Sequence, residues 1–251
     1  MKRIVVALLI ALSLFSLTFT GCSKKAADEK VITIASDCTW PPMEFINDSK
    51  EIVGFDIDLI NAAAEAGGFK VEVKNTGWDG IFAGLANDSY DAVISSVTIT
   101  EERKGSMDFS HPYINAGQVL IVASSTNGVT TLADLKGKNV GAQIGTTGAF
   151  EVEKVAGLTL KTYDELGLAI EDLANGNLAG VVADTPIAAD FVMNNAAYKS
   201  VLKIVGEPFT DEYYGVAVKK GNTEVLELLN KGLDAVIKSG KRDELIEKWL
   251  R

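Results

Sequence analysis

Four pieces of one stretch decide the fold: VITIA (Val31–Ala35), GFDIDLINAAAEAGG (Gly54–Gly68), VEV (Val71–Val73) and DAVISS (Asp91–Ser96). VITIA and DAVISS are apolar enough to be buried on both faces, as strands of a parallel sheet are. Between VITIA and VEV, Phe55, Leu59, Ala62 and Ala66 fall on one face of a helix, with Asp56 placed to cap its start and Gly67-Gly68 to end it. The alternation of strand and helix predicts a mostly parallel sheet covered by helices, an α/β protein.

Moving toward the C-terminus, a second series begins with VLIVA at Val119. It continues with a short capped helix at Thr131–Leu135, a strand at Asn139–Ala142 and a helix from about Ala149. LTLKTY (Leu158–Tyr163), a helix over Glu165–Ala174 closed by Asn175-Gly176, the strand AGVVAD (Ala179–Asp184) and a helix after Pro186 complete a second α/β unit. Beyond it lie a strand YYGVAV (Tyr213–Val218), a helix whose Val225, Leu229, Leu233 and Ile237 share a face, and a last helix carrying Leu245, Ile246 and Trp249 after Gly240. The elements suffice for two sheets, although periodicity does not place the boundary between them. No short self-similar period is present, which argues against a solenoid.

Moving toward the N-terminus, Lys2 and Arg3 precede an apolar run from Ile4 to Phe19 and the small pair Thr20-Gly21. That run is short for a spanning helix and reads as an export signal. Ser23–Lys30 is small, polar and charged, the composition of a solvated tether. The formal net charge is −10, and loss of residues 1–21 would remove two bases and no acid, so nucleic acid is a poor partner. Cys22 and Cys38 are the only cysteines; with Cys22 modified, Cys38 has no intramolecular partner and stability must come from core burial.

Enzyme and metal motifs are missing: the chain has one histidine, His111, and no HExxH, GxSxG, paired-cysteine spacing or phosphate loop. His111 in SHPY reads as a surface or hinge-packing residue, and the acids of Asp56–Asp58 as favourable charges at the positive end of a helix rather than a cation site. No cofactor or metal is expected. GTTG (Gly145–Gly148), between a strand and a helix, is either an anion-binding turn or a plain one. SSVTITEER (Ser95–Arg103) leaves a buried strand through hydroxyl residues and ends in an arginine whose planar fork suits a carboxylate, or is simply solvated.

Two resemblances bear on these openings. Cys22 directly after Gly21 resembles the acceptor cysteine of a bacterial lipoprotein signal, with Phe19 departing from the preferred leucine; this implies a signal peptide over residues 1–21, lipid on Cys22 and a tether over 22–30. The segments SDCTWPPMEF (Ser36–Phe45), GFDIDL (Gly54–Leu59), WDGIFAGL (Trp78–Leu85), YDAVISSVTITEERKGSMDFSHPY (Tyr90–Tyr113), DLKGKNVGAQIGTTG (Asp134–Gly148), ADTP (Ala183–Pro186) and EYYGVAVKKGN (Glu212–Asn222) resemble, in order, the polar amino-acid-binding receptors (solute-binding family 3) of bacterial ABC importers.

That resemblance implies a two-lobe periplasmic-binding-protein-like fold of type II, each lobe a mixed, mostly parallel sheet flanked by helices, joined by two hinge strands. Residues 31–114 and 213–251 would form lobe I and 115–212 lobe II. The implied function is extracytoplasmic capture of a free L-amino acid for a membrane permease by a lipid-anchored monomer that is not an enzyme and closes by a hinge rotation. Arg103 would grip the α-carboxylate with the backbone N–H groups of Thr98 and Thr147. Asp184 would pair with the α-ammonium, with the Ser96 and Thr98 hydroxyls as further acceptors. Asp37, Trp40, Trp78, Ser95 and Gln143 would meet the ligand side chain, and paired tryptophans beside an acid point to arginine or lysine. Glutamine competes, because family members selective for it keep an acid at the place of Asp37. A dehydratase acting on arogenate or prephenate, known among relatives on this scaffold, is the rival from another class.

Overall fold

A computed structural model describes residues 30–251. The expected signal peptide, Cys22 and all but the last residue of the tether lie outside the described residues.

Strand β1 (Val31–Ser36) buries Ile32 and Ile34 completely and leads into a small antiparallel sheet of β2 (Thr39–Trp40), β3 (Glu44–Ile46) and β4 (Ile52–Val53). Helix α1 (Phe55–Gly67) follows and stops at Gly68, whose φ of 78° is the left-handed conformation that glycine adopts without strain. Its buried apolar face is Phe55, Ile57, Leu59, Ile60, Ala63, Ala64 and Gly67; of the expected row, Phe55 and Leu59 lie on it, Ala62 is half-buried against the core and Ala66 is exposed. Asp56 does not cap: Gly54 occupies that position, and the Asp56 side chain turns inward and is wholly buried.

β5 (Lys70–Asn75) pairs parallel with β1. After α2 (Ile81–Ala86), β6 (Ala92–Val93) pairs parallel on the other side of β1, and α3 (Glu101–Ser106) and β7 (Met107–Phe109) follow. Only Ala92–Val93 of the expected strand DAVISS is laddered, because the backbone turns away at Ser96, whose φ is 49°.

The chain crosses through β8 (Ile114–Asn115) into β9 (Gln118–Ala123). A 3₁₀ turn at Leu132–Leu135, boxed by Thr131 and Asp134, precedes β10 (Asn139–Gln143), and α4 (Thr147–Glu153) starts before the expected Ala149 because Thr146 caps it. β11 (Thr159–Tyr163), α5 (Leu166–Ala174) and β12 (Gly180–Asp184) follow. α6 (Thr185–Ala189) begins one residue before Pro186, which sits in the first turn where its missing N–H has no helical partner to lose. After β13 (Leu202–Val205), the expected strand YYGVAV divides into β14 (Tyr213–Tyr214) and β15 (Ala217–Lys219), and α7 (Thr223–Lys238) and α8 (Lys241–Trp249) close the chain.

Two five-stranded sheets result, ordered β5-β1-β6-β15-β7 and β11-β10-β12-β9-β13. In each the first three strands are parallel and the chain reverses at the fourth. β15 returns to the first sheet from the far end of the chain, and β8 pairs antiparallel with β14, so the outgoing and returning segments run side by side. α7 packs on α1 so closely that a Cβ on Gly232 would stand 2.2 Å from the Ala63 carbonyl oxygen, which requires glycine there.

Candidate functional site

The loops leaving β1, β6, β10 and β12 converge between the sheets. This follows from the topology, since the C-terminal ends of parallel strands in open α/β sheets form the crevice where ligands sit. A narrow cavity of about 10 Å³, room for about one water molecule, is lined by Trp40, Trp78, Ser95, Ser96, Thr98, Arg103, Thr146, Thr147 and Asp184. Eight of the ten expected site residues are therefore on one wall or another of a single cavity. Asp37 and Gln143 stand directly behind it. A wider groove continues on the other side of Arg103 toward Phe82, Lys154 and Asp211, but it lacks a buried acid facing the arginine.

Arg103 rises from α3, whose cap Thr100 accepts its backbone N–H. Its guanidinium donates to the Thr98 carbonyl at 2.9 Å and to the Gly145 carbonyl at 3.2 Å, so it bridges the first sheet to the loop after β10. The group stacks over the rings of Trp78 at 5.5 Å and Phe82 at 5.2 Å, and those rings meet edge to face. Burial lowers its pKa from the ordinary value, offset by the charges of Asp184 and Glu212. An arginine nevertheless stays ionised at any physiological pH.

Asp184, at the end of β12, is 4% exposed. It accepts from the Tyr214 hydroxyl at 2.6 Å and from Gln118 Nε2 at 2.9 Å. Burial pushes its carboxyl up to about 6; the nearby charge of Glu212 raises it too, while Tyr214, Gln118 and Arg103 pull it back.

Behind the tryptophans a polar chain crosses from sheet to sheet. Gln143 Nε2 donates to Asp37 Oδ2 at 2.9 Å and to the Asp164 carbonyl at 2.8 Å, while the Trp40 indole N–H donates to Gln143 Oε1. The other Asp37 oxygen accepts from Thr39. Burial pushes the Asp37 carboxyl up, and the Gln143 and Thr39 bonds oppose the shift.

Four participants were not foreseen. Thr146 lines the cavity and caps α4. Gln118 and Tyr214 hold Asp184. Glu212, on the returning segment, accepts from Thr98 at 2.9 Å, Thr147 at 2.7 Å and Thr210 at 2.8 Å. Because the Thr98 and Thr147 hydroxyls spend their protons on Glu212, they offer only lone pairs to anything else. Glu212 and Tyr214 stand inside the motif EYYGVAVKKGN, but no spacing rule marks them, since what recruits them is the return of the chain beside β8.

His111 is exposed and faces Asp234 at 2.9 Å, away from the cavity. The acid pair of the first helical turn is split: Asp58 accepts from Lys248 and the Trp249 indole, and Asp56 points inward. Among the described residues no group of three or more His, Cys, Asp or Glu is placed to hold a metal ion, and no helix is long and apolar enough to cross a membrane.

The family model for bacterial extracellular solute-binding proteins, family 3, matches residues 32–251. The chain belongs to that family. A Neisseria gonorrhoeae protein named "Probable histidine-binding protein" is 38% identical over 251 residues, covering 95% of this chain and 93% of the relative. Among solved structures, an ancestral arginine-binding protein bound to arginine has 42% identity and a TM-score of 0.84, covering 89% of this chain and 99% of that one, and it has also been solved bound to glutamine. The arginine-, lysine-, histidine-binding protein ArtJ of Geobacillus stearothermophilus has 38% identity and a TM-score of 0.82, covering 88% of this chain and 95% of that one.

The fold of this solute-binding protein is thus the two-lobe, type II periplasmic-binding architecture. Its family is non-enzymatic, which does not favour the dehydratase reading, and extracellular, which fits an extracytoplasmic location.

Proposed function

We propose that this solute-binding protein captures a free L-amino acid with a cationic side chain, arginine ahead of lysine, and delivers it to the permease of an ABC importer. The observation that carries the reading is the presence of Arg103 and Asp184 on one narrow cavity walled by two tryptophans. A zwitterion taken out of water needs a fixed cation for its carboxylate and a fixed anion for its ammonium, each within hydrogen-bonding reach. Arg103 with the backbone N–H groups of Thr98 and Thr147 serves the first pole, and Asp184 with the Ser96 and Thr98 hydroxyls the second. Trp40 and Trp78 take the flat guanidinium between their faces.

Asp37 and Gln143 set selectivity in this reading. Gln143 offers Asp37 an amide N–H, the same kind of donor that a ligand guanidinium carries. An incoming guanidinium takes the place of that amide, and the freed Gln143 turns toward the ligand. Residues 31–114 with 213–251 move as one lobe and 115–212 as the other, hinged at β8 and β14. The chain works as a monomer held to the membrane by lipid on Cys22 after removal of residues 1–21.

A thermal-shift panel of the twenty amino acids tests the ligand, because selective binding raises apparent stability by mass action. The largest rise should come with arginine, then lysine. A rise with glutamine alone would transfer the site to a neutral ligand, a second reading favoured by the glutamine complex of the ancestral relative. Cys22→Ser should release the protein from membranes, with retention arguing against the anchor.

A further inference from the structure

A pair of carboxyls beneath the cavity is unused by any role assigned above. Glu44, at the start of β3, and Asp56, in the first turn of α1, are both 0% exposed and within hydrogen-bonding reach of each other. The backbone sets them together: the N–H groups of Phe55 and Asp56 bond to the Pro42 and Met43 carbonyls at 3.0 and 2.9 Å. A Cβ on Gly54, whose φ is 134°, would collide with Met43 O at 2.2 Å. Glycine alone allows this approach.

Asp56 Oδ2 accepts from the Ser96 backbone N–H and from the Tyr113 hydroxyl, both at 2.8 Å, while Asp56 Oδ1 is buried with no other partner. Glu44 accepts from the Ser95 hydroxyl at 3.1 Å and the Ser96 hydroxyl at 3.3 Å. Further out stand Asp37 and Tyr214, so the groups facing the pair are acids, phenols and serines, and no cation acts on either carboxyl. Two ionised carboxylates in contact, wholly buried and without a counter-ion, would repel strongly. An orphan oxygen on one and an adjacent acid on the other have a common solution in a single proton.

We propose that Glu44 and Asp56 share one proton, with Glu44 a neutral acid donating to Asp56 Oδ1, and that this buried pair is the positioning device that fixes Ser95 and Ser96 for ligand binding. Both serine hydroxyls donate downward to Glu44, so each presents only lone pairs to the cavity and can accept from a cationic group but not donate to an anion. Ser96, held at a φ of 49° that a non-glycine residue adopts only under constraint, is anchored there by the bond from its N–H to the Asp56 carboxylate. Burial pushes Asp56 up to about 6 and Glu44 well above its ordinary range, the order that leaves the remaining proton on Glu44 at neutral pH. Acting through the serines, Glu44 and Asp56 orient acceptors and touch no ligand themselves.

Infrared spectroscopy of the ligand-free full chain at neutral pH should show the carbonyl stretch of a protonated carboxylic acid, and Glu44→Gln should remove it. The amide of Glu44→Gln can still donate to Asp56 and accept from a serine, whereas Glu44→Ala can do neither. With L-arginine as the probe, calorimetry should find affinity in Glu44→Gln within about threefold of wild type and a loss of at least about tenfold in Glu44→Ala, using roughly 1.4 kcal/mol per factor of ten. No acid carbonyl band in the wild type, or equal losses in the two variants, would overturn the proposal. The binding arm rests on the cationic-ligand reading. The infrared arm does not, so a wild type with the band but without arginine binding would sink that reading and leave the shared proton standing.

Discussion

The two poles of the cavity are held in opposite ways. Arg103 leans on carbonyl oxygens and aromatic faces, bridges the lobes and keeps its charge at every physiological pH. Asp184 is sealed under Tyr214 and Gln118, and burial places its carboxyl near 6, within reach of mild acid. One pole is fixed in charge; the charge of the other is conditional on pH. The difference follows from the groups themselves, because a guanidinium tolerates desolvation without releasing its proton and a carboxylate does not.

The most severe way to break the comparison is to delete either pole. Arg103→Ala and Asp184→Ala should each weaken amino-acid binding at least about a hundredfold at neutral pH, since removing one partner of a buried pair costs about 3 to 5 kcal/mol. Calorimetric titration reads this directly, and wild-type affinity in either variant would refute the placement of that pole.

Acid should separate the poles without mutation. Lowering the pH from about 7 to about 5 protonates Asp184 and leaves Arg103 charged, so affinity should fall by about tenfold, approaching a tenfold loss per pH unit below the folded pKa. Ligand-free stability should move the other way. The folded pKa of about 6 exceeds the ordinary 3.8, so between those values the folded protein binds more protons than the unfolded one, and the contribution of Asp184 rises as pH falls. Subtracting the pH profile of Asp184→Asn isolates this effect, and identical profiles would show that Asp184 does not titrate in that window.

A milder change sharpens the contrast at the side-chain end. Trp40→Leu should weaken arginine binding by roughly two- to thirtyfold, in line with about 0.5 to 2 kcal/mol for a cation–π contact, and should affect a neutral amino acid less. Equal losses for arginine and glutamine would mean that Trp40 contributes only shape. The smallest expected effect is that of Tyr214→Phe. Losing the 2.6 Å bond removes an influence that lowers the Asp184 pKa, so the midpoint of the acid profile should move upward while affinity at pH 8 changes by about threefold or less.

Much of this was legible in the chain. β1 and β12 carry β-branched runs that are buried along most of their length, so a local pattern suffices to find them. α1 was found with Phe55 and Leu59 on its buried face, but its second half was misread at Ala66, because alanines satisfy several helical faces equally and the approach of Gly232 to Ala63 chooses among them. Arg103 and Asp184 came from motifs that resemble a known family, whereas nothing local marked Gln118, Glu212 or the Glu44–Asp56 pair. Gln118 and Glu212 take their roles from contacts between segments far apart in the chain, made where the returning strand β14 lies beside β8, and the Glu44–Asp56 pair from the packing of β3 on α1.

The order of strands and helices, the absence of catalytic and metal motifs and the chemical types available for binding were determined by the amino-acid sequence itself, since each is a matter of periodicity or residue chemistry. Which acids face ligand and which face one another was decided only by the tertiary structure. Asp56 reads as a helix-start charge, and Asp37 as a group open to a ligand. The close packing of β3 on α1 buries the first against Glu44, and the meeting of the β1 and β10 ends sets Gln143 on the second. A carboxyl's role depends on the water it has lost and the charges beside it, and neither quantity exists until the chain has folded.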